Sequence, residues 1–313
     1  MYILKKNIGN IERVCMGENS SVKDHSINIA SLAVQAMLYE VSCTPSPGLV
    51  SQTSSGAHTD MDYFTFLDSA TSLMNPLIHC TEAGFSAKKP QEIFHQLREI
   101  GKLGEQQMFK KTSGINTHKG MLFLLGICCA AGGKVMFEGS DFSSLQGVIK
   151  EMTFGLVEKD LNSSLSEFRQ ADKLALTNGE RLFLDSNVEG IRGEAQRGLP
   201  TVFDFSLGFY KQNKGLSQNH RLVQTLLAIM QFCEDTTILH RHSVETLKEV
   251  QEKAKQILGI GGVVTTQGLK AIEEMNQDFS NRKISPGGSA DLLGVTVFLH
   301  LLEDYIDENV KRR

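Results

Sequence analysis

The sequence predicts an all-α protein, a single multi-helix domain of about a dozen helices whose active site is built from inter-helix loops. Three observations support this prediction. Apolar residues recur with a period near 3.6 along most of the 313 residues. Breaks that contain Gly, Pro or Asn separate these apolar stripes. No β-branched segments alternate with polar residues, so a parallel sheet with a nucleotide-binding crevice is not expected.

The first predicted helix covers about residues 23–43 and ends at the Pro45-Ser46-Pro47-Gly48 segment. Its apolar residues follow i, i+3 and i+4 spacing: Ala30, Ala33, Val34, Met37, Leu38 and Val41. Similar stripes predict further helices at about 61–79, 90–110, 119–132, 143–159, 218–234, 243–258 and 288–306. The segment 134–145 is predicted as a surface loop. No repeat or linker divides the chain, so residues 1–313 are expected to form one domain.

Charge and hydropathy exclude two classes of partner. The chain has 32 Lys+Arg against 36 Asp+Glu, a net charge of -4, which lacks the basic footprint of a nucleic-acid-binding protein. The longest strongly apolar stretches, Met121–Ala131 and Leu292–Leu302, are shorter than the roughly 20 residues that cross a bilayer. The first 15 residues lack the features of a signal peptide. We therefore expect a cytoplasmic protein that binds neither nucleic acid nor membrane.

The cysteine pattern predicts reduced thiols and no zinc site. Six cysteines lie at positions 15, 43, 80, 128, 129 and 233, without a C-x-x-C pair or a Cys/His spacing suited to zinc. Cys128 and Cys129 lie within MLFLLGICCAA, and small apolar side chains of this kind pack well in a buried helix.

The first polar loop with candidate chemistry runs from Pro45 to Asp62. Asp60 and Asp62 would diverge on a helix, but at a loop-to-helix junction both can reach one hydrated Mg²⁺. The alternative is that one of them caps the following helix.

Two further loops are candidates for binding phosphate, and each precedes an apolar helix. In GINTHKG, free backbone N–H groups and Lys119 at a helix start suit an anion, although Asn116 or Thr117 can simply cap the helix. In SPGGSAD, Gly287 and Gly288 allow close approach of the backbone to a ligand, and Ser289 is a natural N-cap. Neither segment is a P-loop, because G-x-x-x-x-G-K-[ST] occurs nowhere in the chain.

Two charged clusters complete the candidate site. Arg192 and Glu194 lie in a Gly-punctuated turn, where they can form a phosphate clamp beside a base or metal ligand, or only a surface ion pair. Asp235 and Arg241 follow an apolar helix and can hold Mg²⁺ or phosphate. The nearby histidines at 240 and 242 do not share a helical face, so a solvated helix end is favoured over zinc for them.

Five segments in this order resemble a known family: PSPGLVSQTSSGAHTDMD, GINTHKG, RGEAQRGLPTV, DTTILHRHS and ISPGGSADLLGVT. They are similar to the triphosphoribosyl-dephospho-CoA synthases of citrate lyase and malonate decarboxylase systems, over about residues 25–303. The chain departs from the family pattern at Ser46, Ser51 and Thr59, where Lys, Asp and Lys are common. Two phosphate contacts and one carboxylate are thereby missing from the first loop.

The resemblance implies a pentosyltransferase that makes 2'-(5''-triphosphoribosyl)-3'-dephospho-CoA. The 2'-hydroxyl of 3'-dephospho-CoA attacks C1' of the ATP ribose and adenine leaves. The product then feeds a prosthetic-group transferase that acts on an acyl carrier protein. Such a reaction needs a base for the hydroxyl and a proton for adenine. A hydrolase of ADP-ribose-type nucleotides and an inactive helical interaction protein are the alternatives.

The resemblance also implies roles for the loop residues. Glu194 is the first choice as base and His58 the second, and no residue is assigned as the acid that protonates adenine. The predicted phosphate-binding residues are Lys119, Arg192, Arg241, Gly287, Gly288 and Ser289. The predicted ligands of Mg²⁺, which is expected to accompany ATP, are Asp60, Asp62 and Asp235. His118 and Asp291 belong to the motifs without an assigned role.

Overall fold

A computed structural model describes residues 18–162, 181–183 and 188–310, and these residues form α-helices and no strands. The predicted all-α fold is therefore confirmed. Cys15 and the N-terminal segment examined for a signal peptide lie outside the described residues. The helices are α1 Glu18–Ser42, α2 Tyr63–Ser72, α3 Met74–Gly84, α4 Pro90–Lys111, α5 Lys119–Glu138, α6 Leu145–Met152, α7 Gly190–Gln196, α8 Leu207–Gln212, α9 Gln218–Met230, α10 Thr236–Arg241, α11 Val244–Gly259, α12 Thr266–Arg282 and α13 Gly287–Val310.

Helix α5 is the central element of the fold. It packs against α1, α3, α4, α6 and α13, and the residues from Met121 to Met136 are almost all buried. A helix that is apolar on every side is stable in water only when other helices pack around it, which explains the central position of α5. It is also the one helix of the described residues that is long and apolar enough to cross a membrane, yet 83% of its most apolar window is buried in protein. Cys128 and Cys129 lie within it as buried free thiols, as predicted.

Two glycines allow α3 and α5 to touch through their backbones. A Cβ atom at Gly84 would lie 2.0 Å from the Ala130 carbonyl oxygen, and one at Gly133 would lie 2.4 Å from the Thr81 carbonyl oxygen. No larger residue fits at either position unless the helices separate. This contact fixes the C-terminal half of α5 against α3. The N-terminus of α5 lies at the cavity described below.

Several predicted boundaries are wrong. The helix predicted over 61–79 is divided at Leu73 into α2 and α3. The helix predicted over 143–159 begins as a 3₁₀ turn and stops at Met152. The loop predicted over 134–145 is helical as far as Glu138, because Lys134 is buried and donates to the Ser86 carbonyl oxygen at 3.0 Å while pairing with Glu138. A lysine with internal partners gives the same sequence signal as a surface lysine.

Four helices were not predicted. The helices α7, α8 and α10 have only six or seven residues, too few for a periodic stripe. Helix α12 is longer, and its buried Ile272, Met275 and Phe279 have helical spacing. Thr265 caps its N-terminus by accepting from the Gly268 N–H at 3.0 Å. This helix was therefore detectable from the sequence by its cap and its stripe.

Candidate active site

The described residues enclose a cavity of about 660 Å³ where the loops predicted to carry chemistry meet. The loops before α2, α5 and α13 form part of its wall, and α1, α4, α7 and α10 form other parts. The predicted residues that line it are His58, His118, Lys119, Arg192, Arg241, Gly287, Gly288 and Asp291. The predicted convergence of the loops on one cleft is thus confirmed for these residues.

Asp235 joins the first turns of α10 and α13. It is 1% exposed. Its Oδ1 accepts from the backbone N–H groups of Thr237 and Ile238 at 3.0 and 3.3 Å, and its Oδ2 accepts from the N–H and Oγ–H of Ser289 at 2.8 and 3.0 Å. A carboxylate offers about four acceptor positions, and all are used here. Asp235 and Ser289 therefore hold the first turns of α10 and α13 together, whereas Mg²⁺ binding was predicted for Asp235 and phosphate binding for Ser289.

Asp291 makes a similar link between α13 and the start of α5. It accepts from the backbone N–H of Met121. A Cβ atom at Gly120 would lie 2.1 Å from the Asp291 Oδ2, so a larger residue at the last glycine of GINTHKG would displace this carboxylate. Gly288 is similarly close to Asp235, since a Cβ there would lie 3.2 Å from its carboxyl carbon. Gly120 and Gly288 thus allow the N-termini of α5 and α13 to lie close to the carboxylates of Asp291 and Asp235.

Five cationic side chains line the cavity: Arg98, Lys102, Lys119, Arg192 and Arg241. Lys119 Nζ lies 2.9 Å from a carboxylate oxygen of Glu105, and Arg192 Nε lies 3.4 Å from one of Asp160. These pairs are partly exposed, and such pairs are nearly neutral in energy, so an incoming anion can compete for the cations. Arg98 and Lys102 were not predicted because they lie inside α4, where cations are typical of a solvated face.

Both histidines of the cavity are held in the neutral form. His58 Nε2 lies 3.0 Å from Ser285 Oγ, and burial together with Arg241 lowers the pKa of His58. His118 is 1% exposed, its Nδ1 lies 2.7 Å from Ser69 Oγ, and burial lowers its pKa to about 3. His118 Nε2 is buried without a hydrogen-bond partner among the described residues. His58 is therefore unprotonated at neutral pH, but its lowered pKa makes it a weaker base than an exposed histidine.

Glu40 is a cavity residue that the sequence analysis missed. It is 3% exposed and lies in α1 on the face that carries Ala33, Ala36 and Met37. These residues precede it by seven, four and three positions, so the sequence places a carboxyl group within an apolar stripe. A charged residue at such a position is the signal that could have identified it.

Glu194, the first choice as base, does not contribute to the cavity lining, whereas Arg192 does. Its Oε1 accepts from the Thr201 backbone N–H at 2.8 Å, and burial raises the pKa of Glu194. The reason is local, because residues 190–196 form a helix rather than a turn. Side chains two positions apart on a helix point in different directions, so Arg192 and Glu194 cannot face one ligand.

The predicted Mg²⁺ ligands of the first loop do not converge on the cavity. Asp62 caps α2 by accepting from Thr65 N–H at 2.9 Å and Thr65 Oγ–H at 2.7 Å, as in the capping alternative. Asp60 is exposed and its Oδ1 lies 3.8 Å from His58 Nδ1. Ser46 and Ser51 are buried and do not line the cavity. Within residues 18–162, 181–183 and 188–310, no three His, Cys, Asp or Glu side chains are grouped as a metal site.

A prediction follows for Glu194. Replacing it by Gln keeps an oxygen that can accept from Thr201, so we expect kcat to change less than about threefold and stability to fall by at most about 1 kcal/mol. Steady-state kinetics and thermal unfolding test this. A fall in kcat of about 10²-fold or more, the range for loss of a general base, would return Glu194 to the active site.

Comparison with known proteins identifies the family. The family model for ATP:dephospho-CoA triphosphoribosyl transferase (CitG) matches residues 26–310. The chain belongs to this family. A probable 2-(5''-triphosphoribosyl)-3'-dephosphocoenzyme-A synthase of Lactiplantibacillus plantarum is 38% identical over 282 residues, which cover 89% of this chain and 98% of the relative. One of Malonomonas rubra with the same description is 36% identical over 289 residues, 91% of this chain and 90% of the relative.

A third relative has a longer chain. Protein CitXG of Leuconostoc mesenteroides subsp. cremoris is 38% identical over 275 residues, which cover 87% of this chain and 58% of that protein. No solved structure matches the chain. The family and its relatives show an enzyme of the triphosphoribosyl-dephospho-CoA synthase type, as the motifs predict.

Proposed function

We propose that the protein transfers the triphosphoribosyl group of ATP to the 2'-hydroxyl of 3'-dephospho-CoA and releases adenine. The observation that carries this proposal is the single cavity in which the family's motifs meet. It combines cations for a triphosphate with neutral histidines and with the carboxyl groups of Glu40 and Asp291 for proton transfer. The reaction is glycosyl transfer, so the chemical work at C1' is proton transfer and charge stabilisation.

A bound triphosphate would account for the presence of Lys119, Arg192 and Arg241 in the wall of one cavity. The triphosphate bears about four negative charges at neutral pH, which cannot be buried without compensation. Lys119 lies at the N-terminus of α5, where the helix dipole also favours an anion. Arg192 and Arg241 line the same space. These three residues are the proposed contacts of the triphosphate, as the sequence motifs indicated.

Magnesium is proposed to enter with ATP as part of the substrate. Mg²⁺ commonly keeps its waters and is bound by substrate phosphates with one or two carboxylates. Asp62 and Asp235 are occupied as helix caps, and Asp60 is exposed outside the cavity lining, so the predicted set offers the ion no carboxylate within the cavity. The triphosphate oxygens then supply most of the ligands.

The product is proposed to serve as the precursor of a prosthetic group. A prosthetic-group transferase would consume it and load the acyl carrier protein of citrate lyase or malonate decarboxylase. We place these steps in the cytoplasm.

A direct assay tests the proposal. Purified protein is incubated with ATP, Mg²⁺ and 3'-dephospho-CoA, and adenine and the triphosphoribosyl adduct are quantified by mass spectrometry. We expect equal amounts of both products, and neither when CoA with its 3'-phosphate replaces dephospho-CoA. Adenine release without an acceptor would favour the hydrolase alternative. Failure to bind ATP would favour an inactive interaction protein.

Arg192 provides a test of the triphosphate position. Replacing it by Ala is expected to raise the KM for ATP by about tenfold or more with little change in kcat, because a guanidinium-phosphate contact stabilises ground and transition states alike. Arg197 lies five positions later, pairs with Glu189 and does not line the cavity, so Arg197→Ala is the matched control. Equal KM values in the two variants would remove Arg192 from the triphosphate site.

A further inference from the structure

A buried carboxyl group in the cavity wall has no assigned task in the reaction. Glu40 is 3% exposed and lines the cavity. Its Oε2 is buried and has no hydrogen-bond partner among the described residues. An ionised oxygen in that position would lose its hydration without compensation, which costs far more than burial of a neutral carboxyl group. The contacts around Glu40 therefore favour its protonated form.

Asp291 lines the same cavity but has different surroundings. Its carboxylate accepts from the Met121 backbone N–H at the start of α5, where the helix dipole favours negative charge. Burial and a neighbouring carboxylate raise the pKa of both groups, Asp235 acting on Asp291 and Asp291 on Glu40, but only Asp291 has a hydrogen bond, from Met121, that opposes the shift. Of the two groups, Asp291 is therefore the one that the structure can hold as an anion. These contacts favour a proton on Glu40 and an ionised Asp291.

We propose that Glu40 is the acid that protonates the departing adenine, and that Asp291 is the base that receives the proton of the attacking hydroxyl. This inference rests on the proposed function, since it assigns the proton transfers of that reaction. It also replaces Glu194 as the base, because Glu194 lies outside the cavity lining. Two carboxyl groups kept in opposite protonation states by their surroundings are the usual device for exchange at a glycosidic carbon.

The proton transfers balance over one turnover. The C1'–N9 bond of ATP breaks, its electron pair leaves with adenine, and the Glu40 proton moves to adenine. The 2'-hydroxyl oxygen of dephospho-CoA bonds to C1', and its proton moves to Asp291. Transfer of that proton from Asp291 to Glu40 restores the starting pair. Lys119, Arg192 and Arg241 hold the triphosphate throughout and take no part in the proton transfers.

The test compares two donors in the variants Glu40→Gln and Asp291→Asn. One donor is ATP and the other is ribose 5-triphosphate bearing p-nitrophenolate at C1, which leaves without needing a proton. With Glu40→Gln we expect kcat to fall about 10²–10⁴-fold on ATP but less than about tenfold on the nitrophenyl donor. With Asp291→Asn we expect similar losses on both donors, because both need the hydroxyl to be deprotonated. The amide introduced by Asp291→Asn keeps an oxygen that can accept from Met121.

Each contrary result overturns the assignment. Equal losses on both donors in Glu40→Gln would make Glu40 a positioning residue, and normal kcat on ATP would remove it. Normal rates in Asp291→Asn would remove the base. The Tm of Glu40→Gln should stay within a few degrees of wild type, since an amide replaces an uncharged group of the same shape, and a large fall would contradict a proton on Glu40.

The control is Glu245→Gln at the exposed start of α11, which should match wild type on both donors. Failure of the wild-type protein to join ATP and dephospho-CoA would overturn the proposed function itself, which the variants do not test.

Discussion

Replacing Gly84 by Ala is expected to destabilise the protein by about 3 kcal/mol or more, the upper part of the range for overpacked cores. The new Cβ would lie 2.0 Å from the Ala130 carbonyl oxygen, and both atoms belong to helix backbones. A rotamer change cannot relieve that overlap, so α3 and α5 must separate. Chemical denaturation monitored by circular dichroism measures the loss, which is a large share of the roughly 5–15 kcal/mol typical of a domain.

Gly147 is the matched control for Gly84. It also lies in a helix, but nothing would lie within 4 Å of a Cβ atom there. Gly147→Ala should therefore gain up to about 1 kcal/mol from helix propensity alone. If Gly84→Ala were as stable as Gly147→Ala, the close backbone contact between α3 and α5 would not exist.

The fold was largely predictable from the sequence because long helices carry their own periodic signal. The helices α1, α4, α9, α11 and α13 were each placed within about five residues of their observed ends, close to the usual uncertainty of such boundaries. The errors have local causes. Helix α10 is held by the Asp235 cap and by packing, since six residues are too few to show a stripe. Lys134 appeared solvated because its acceptors come from the distant Ser86 and from its own helix.

The site was predictable in position but only partly in chemistry. Motif loops showed where Lys119, Arg192 and Asp291 would lie, since helix starts and Gly-rich turns are visible in the sequence. The direction in which a side chain points cannot be predicted from the sequence when the secondary structure around it is predicted wrongly. Glu194 points away from Arg192 because a predicted turn is a helix. Glu40 was not predicted because it is a buried carboxyl group inside a helix, and only loop residues were considered as candidates.

Asp235→Ala is expected to lower the free energy of unfolding and also to disrupt the cavity. It removes the acceptor of three backbone N–H groups and one hydroxyl, at Thr237, Ile238 and Ser289. Buried donors left without partners cost about 1–3 kcal/mol each and do not add fully, so we expect a total of about 3–5 kcal/mol. The first turns of α10 and α13 should then separate.

That separation has a kinetic consequence, because Arg241 lies in α10 while Gly287, Gly288 and Asp291 lie in α13. Residual folded protein should show a raised KM for ATP together with a reduced kcat, whereas Arg192→Ala changes mainly KM. Asp235→Asn keeps one oxygen acceptor and should lose about half as much stability. Ser243→Ala removes an exposed N-cap that bonds to the backbone N–H and the hydroxyl of Thr246, and it should cost about 1 kcal/mol without affecting kinetics. Unfolding measurements that rank Asp235→Ala level with Ser243→Ala would show that the carboxylate merely caps α10 and does not join the two helix starts that form the cavity.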